Sequence, residues 1–81
     1  MKKKVLVHYF ALLREQRGKG KEWVKTEAAD LGGLYEELRL KHRFSLEPGQ
    51  LKVARNADFT SMDTALEDQD AIAFIPPVAG G

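Results

Sequence analysis

The stretch Lys3-Lys4-Val5-Leu6-Val7-His8-Tyr9 decides the fold. Val5, Val7 and Tyr9 alternate with Leu6 and His8, so both faces carry apolar groups, as in a central strand buried on two sides. The first strand therefore belongs inside a sheet. A comparable run closes the chain, Ala71-Ile72-Ala73-Phe74-Ile75, and Pro76-Pro77 stops its ladder because proline has no N–H to donate. Two apolar strands at the extremes of the sequence are expected side by side at the centre of a mixed sheet.

Working inward, Phe10 to Arg17 turns to helix-forming residues, and Gly18 is placed to end that short helix in the left-handed conformation. After Lys19-Gly20-Lys21, the segment Glu22 to Glu27 alternates as an outer strand, with Trp23 and Lys25 on one face and Val24 and Thr26 on the other. Asp30 is a plausible N-cap for a helix from Leu31 to about His42, whose Leu31, Leu34, Tyr35 and Leu38 form one apolar stripe. Glu47-Pro48-Gly49 reads as a turn and Leu51 to Arg55 as a strand. A second turn at Asn56-Ala57-Asp58 precedes a short strand from Phe59 to Met62. Asp63 is expected to cap a brief turn, and Glu67 to Asp70 to make a polar turn before the last strand. This order gives an α+β protein of the ubiquitin-like β-grasp class, a mixed sheet with one main helix packed across it. Its domain spans residues 1–76, followed by an extended tail over residues 77–81.

The chain has 81 residues, 43% of them hydrophobic and 31% charged, which fits one small domain. A chain of this size hides only about 60–65% of its unfolded surface, too thin a core to wall off a deep, dry substrate cavity. It is not expected to be an enzyme alone. It has no cysteine, hence no disulfide staple or thiol nucleophile, and this favours a reducing cytoplasm. Thirteen basic and twelve acidic side chains nearly balance, which argues against a nucleic-acid or membrane-surface partner. No apolar run approaches the ~20 residues that span a bilayer.

Conventional chemistry is poorly supported. His8 and His42 lack companions at metal-ligand spacing, so no metal site is expected, and packing for His8 and helix-dipole capping for His42 account for them. Asp63, Glu67, Asp68 and Asp70 suit turn chemistry better than acid/base work. The basic residues Arg14, Arg17, Lys19, Lys21 and Lys25 read as solvated surface or as a contact for an acidic protein.

The ending Pro77-Val78-Ala79-Gly80-Gly81 is more informative. Extended, the five residues after Pro76 reach on the order of 17 Å, about the depth of an enzyme cleft. Glycines at its tip let a bare backbone thread a narrow channel. A terminal carboxylate is a poor electrophile, so chemistry on Gly81 requires prior conversion to an acyl-adenylate by another protein, since this chain has no phosphate-cradling glycine motif. A frayed tail without function is the bland alternative.

Phe10-Ala11, Leu13-Arg14-Glu15, Gly18, Asn56 and the run Leu66-x-Asp68-x-Asp70-x-Ile-Ala-Phe-Ile-Pro-Pro-Val-Ala-Gly-Gly closely resemble the small, sulfur-carrying subunits of molybdopterin synthase, the MoaD type of the ThiS/MoaD ubiquitin-like family. The resemblance covers essentially the whole chain. It implies a β-grasp fold and a Gly81 that is adenylated, then thiocarboxylated, then donates sulfur for the conversion of cyclic pyranopterin monophosphate (precursor Z) to molybdopterin. It also implies three partners: a large synthase subunit of the MoaE type, an E1-like adenylyltransferase of the MoeB type that uses ATP, and a sulfurtransferase. The assembly implied is a heterotetramer of two small and two large subunits, with no cofactor bound to this chain. Pro77, Val78, Ala79 and Gly80 would enter the partner. Phe10, Phe59 and Ile75 would meet it through apolar contact and Arg14 through an ionic one, with core packing the alternative for the two phenylalanines.

Two positions depart from the family pattern. Gln69 stands where glycine is usual before the last strand, so a tight turn must be made without glycine's access to positive φ. Ile75 stands where an aromatic ring is common. Related carriers for thiamine or tRNA thiolation share the Gly-Gly device. A ubiquitin-like modifier would use it to form isopeptide bonds, and a pure binding module would not need it.

Overall fold

The computed structural model describes residues 2–77. Strand β1 (Lys3–Tyr9) leads through helix α1 (Ala11–Arg17) to β2 (Lys21–Thr26) and helix α2 (Leu31–His42). A 3-10 turn (Pro48–Gln50) then precedes β3 (Lys52–Arg55), β4 (Asp58–Thr60) and β5 (Ala71–Ile75). The strands form one sheet in the order β2-β1-β5-β3-β4. β5 lies parallel to β1 and antiparallel to β3, so the first and last strands do meet at the centre.

Helix α2 begins where Asp30 accepts a hydrogen bond from the Gly33 N–H at 2.8 Å. Its first turn favours glycine, because a Cβ on Gly32 would press against the Met62 carbonyl oxygen at 3.3 Å. Leu31, Leu34, Tyr35 and Leu38 face the sheet and join Val5, Val7, Tyr9, Val53, Ile72 and Phe74 in the core. Tyr35 stacks with Phe44 at 6.0 Å and lies tilted to Phe74 at 5.1 Å, and its hydroxyl donates to the Leu46 carbonyl at 2.8 Å. Burial pushes that phenol up to about 12. Truncating a fully buried side chain such as Leu34 to alanine should cost about 2–5 kcal/mol.

Three expectations are revised. β1 is central, but only one of its faces is covered: Val5, Val7 and Tyr9 are buried while Leu6 and His8 are partly exposed on the open side of the sheet. Apolarity on both faces of β1 therefore does not mean double burial, and His8 is not a core residue. The strand after Asn56-Ala57 ends at Thr60 rather than Met62. Asp63 does not cap the turn that follows it; its carboxylate accepts from the Ser61 hydroxyl before it. Among the described residues no helix is long and apolar enough to cross a membrane.

Candidate functional site

The central strand β5 delivers the chain to Pro76-Pro77, and the surroundings of that exit are set by residues far away in sequence. Phe10 follows β1 with an extended backbone, and Ala11 then takes φ +49°, a left-handed conformation unfavourable for a residue with a Cβ. The chain thereby turns sharply into α1 and leaves Phe10 45% exposed and Leu12 40% exposed. With Leu46, Ile75, Pro76 and Pro77 they line an apolar groove of about 660 Å³ at the root of the tail.

A second recess of about 420 Å³ adjoins it, with Phe10 as the shared wall, Arg14 and Lys21 as its cations and His8 beside them. Gly20 lies under the Arg14 side chain, where a Cβ would stand 3.4 Å from Nε. Among the described residues Arg14 has no carboxylate within 4.0 Å, whereas Arg17 and Arg39 each have one and Arg55 has two.

Helix α1 is held in place from its far end. Arg17 donates to both oxygens of Glu22, at 2.8 and 2.7 Å, and the Tyr9 hydroxyl donates to the same carboxylate at 2.6 Å. The Arg17 bonds outweigh the opposing effect of burial and, with Tyr9, bring Glu22 down to about 2. Tyr9 is pushed up chiefly by burial. His42 reaches within 3.8 Å of Glu22, and burial lowers it first, with the nearby Arg17 charge adding to the effect. Dipole capping does not describe His42 fully, because it also joins this cluster.

The start of β5 is tied down differently. Asp70, only 5% exposed, accepts from Arg55 at 2.7 Å, from Asn56 at 3.0 Å and from the Glu67 N–H at 2.8 Å. Burial alone would raise its pKa, and these three donors together reverse that. Asn56 also accepts from the Ala71 N–H, and Asp68 from the Lys4 N–H. Gln69 takes φ +70°, as the missing glycine requires. The acidic turn is thus structural.

Of the residues expected at a partner contact, Phe10, Ile75 and Pro77 share one groove and Arg14 stands in the adjoining recess. Phe59 is separate: it lies on edge strand β4, 72% exposed, on the same open face as Ile75. Neither phenylalanine is a core residue. Val78, Ala79, Gly80 and Gly81 lie outside the described residues. Leu12, Leu46 and Pro76 were not anticipated at the groove, since only the folded chain brings the loop after α2 to the exit of β5.

The ThiS family model matches residues 7–81. A molybdopterin synthase sulfur carrier subunit of Mycobacterium tuberculosis is 36% identical over 81 residues, covering 96% of this chain and 98% of its own. A chain in the complex of subunits 1 and 2 of molybdopterin-converting factor from Helicobacter pylori is 30% identical, with a TM-score of 0.63, covering 96% of this chain and 99% of that one. SAMP1 of Haloferax volcanii, a small archaeal modifier protein, is 25% identical with a TM-score of 0.79, covering 96% and 99% of the two chains.

Proposed function

The chain belongs to the ThiS family, and from that premise we propose that it is the sulfur carrier subunit of a molybdopterin synthase. The observation that carries the reading is the exit of β5: the central strand of a rigid sheet runs into two prolines beside an exposed apolar groove, a fixed platform from which a short tail can enter another protein. In this reading a Gly81 carboxylate oxygen attacks the α-phosphorus of ATP in the active site of a MoeB-type enzyme, releasing pyrophosphate. Sulfide, released from the persulfide of a sulfurtransferase by a thiol reductant, attacks the acyl carbon, and the bond to AMP breaks to leave a thiocarboxylate. The tail, Pro77 to Gly80, then carries it into a MoaE-type large subunit, where the sulfur attacks a carbon of the pterin precursor and displaces an oxygen substituent from it. Water cleaves the acyl–sulfur bond and regenerates the carboxylate.

Tethering answers a physical need, since free sulfide diffuses away whereas a tethered nucleophile meets its acceptor at high effective concentration. The groove walls Phe10 and Ile75 and the cation Arg14 make the contact around the tail, and Phe59 extends it across the sheet. The complex takes the heterotetrameric form, in the cytoplasm.

The test is intact mass. Incubated with ATP, a MoeB-type enzyme and a sulfide source, the chain should gain the mass of sulfur replacing one oxygen, and a variant lacking Gly81 should not. No gain with a demonstrably active enzyme would remove the sulfur-carrier reading. The likeness to SAMP1 favours one second reading, a protein modifier, whose signature would be isopeptide-linked ladders on a denaturing gel.

A further inference from the structure

Charge is segregated across the sheet. On the side facing away from α2, every ionisable strand residue is basic: Lys4, His8, Lys21, Lys25 and Lys52. The chain's twelve carboxylates all lie off these positions. Lys4 stands directly opposite Lys25, the like-charged cross-strand arrangement that weakens a sheet. Among the described residues none of the four lysines has a carboxylate within salt-bridge distance, although Arg17 and Lys19 nearby both reach Glu22. The cations surround an aliphatic floor of Leu6, Ala54, Ala71 and Ala73, and the 51%-exposed Trp23 rises beside it with the Lys4 ammonium 5.4 Å from its ring. Apolar centre and charged rim are the composition of a protein interface.

We propose that the footprint of the tail-receiving large subunit extends beyond the tail root over β1 and β2, that the part of the partner lying there is acidic, and that Trp23 is its apolar anchor. The proposal rests on the sulfur-carrier reading above. Trp23 lies opposite Leu6, which lies opposite Ala71, four residues before Ile75. At ~3.3 Å per residue and ~4.8 Å per strand, Trp23 is about 16 Å from the tail root. A standard interface of ~800 Å² per partner is roughly 32 Å across, so one footprint centred on the tail reaches it. An acidic protein is favoured over single-stranded nucleic acid because Trp23 and Phe59 stand on opposite edge strands, about 19 Å apart, too far to stack neighbouring bases.

The test measures affinity for the large subunit by calorimetry at 50 and 300 mM NaCl, with folding followed by circular dichroism. The wild-type dissociation constant should rise at least tenfold over this range. Lys25→Glu should weaken binding about tenfold at low salt and flatten the salt dependence, while its melting temperature rises because Lys4 then faces an opposite charge. Trp23→Ala should weaken binding about tenfold with the salt dependence unchanged. Wild-type binding with both variants within twofold of it would overturn the proposal and leave the sulfur carrier standing. Tighter binding to poly(U) RNA than to the large subunit, lost in Lys25→Glu, would overturn it as well. A wild type that takes up no sulfur and binds no large subunit would remove the underlying reading and this proposal with it.

Discussion

The two ends of β5 are built on opposite principles. At its start, Asp70 and Asn56 accept from Arg55, Glu67 and Ala71 and fasten the strand to the β3–β4 hairpin, while Asp68 accepts from the Lys4 N–H of β1. At its finish, Phe10 and Leu12 remain half exposed, Ile75 lines an open groove and Arg14 has no counter-ion among the described residues. One end has its contacts made; the other holds contacts ready for a second molecule. A resemblance quoted as one continuous motif therefore contains residues of two kinds, and only their surroundings tell them apart.

Substitutions at the two ends should separate stability from partner binding, and the largest effect belongs to the start. Asp70→Ala leaves Arg55 and Asn56 without their buried acceptor and should cost about 3 kcal/mol. Thermal unfolding should show this as a fall of roughly 12–24 °C, with sulfur uptake by Gly81 retained wherever the variant is folded. Loss of uptake in a folded variant would dissolve the distinction between the ends.

Next comes the cluster that holds α1, and thereby Phe10, beside the finish. Glu22→Gln should cost roughly 2 kcal/mol and loosen partner binding too. Its pH dependence has a definite sign. Glu22 sits below its ordinary value in the fold, so its contribution is complete above about pH 4.5 and disappears as pH falls toward 2. His42 is also lowered, so its protonation below about pH 6.5 opposes folding in the same direction. Melting temperature followed from pH 7 to pH 3 should fall for the wild type and fall less for Glu22→Gln.

At the finish itself, Phe10→Ala should weaken binding to the large subunit about tenfold while unfolding free energy stays within ~0.5 kcal/mol. A larger stability loss would mean that Phe10 serves the core after all. The smallest effect returns to the start: Gln69→Gly, relieving φ +70°, should stabilise by about 0.5–1 kcal/mol without altering binding.

Much of this was legible in the sequence. The strand and helix order, the Asp30 cap, Gly18 in the left-handed conformation and the central pairing of β1 with β5 all follow from periodicity and local signals. Gln69 was legible too, because a turn needing glycine leaves the same backbone requirement when glycine is absent. The open face was not. Leu6 and His8 look like one half of a doubly buried strand, and periodicity cannot say whether a second layer exists to cover them. Leu12 and Leu46 were missed for a related reason: each is an ordinary apolar residue until the fold brings it to the tail root.

The placement of β5 bears on how the protein is made. Without it the sheet is two separate ribbons, β2-β1 and β3-β4, and a two-stranded ribbon is marginally stable at best. Synthesis proceeds from the N-terminus, so the strand that joins the ribbons is the last to leave the ribosome. A chain truncated at Asp70 is expected to show no cooperative melting transition. Folding thus waits until translation has passed Ile75, and chains terminated before that point never acquire the platform at the exit of β5 against which a partner could dock.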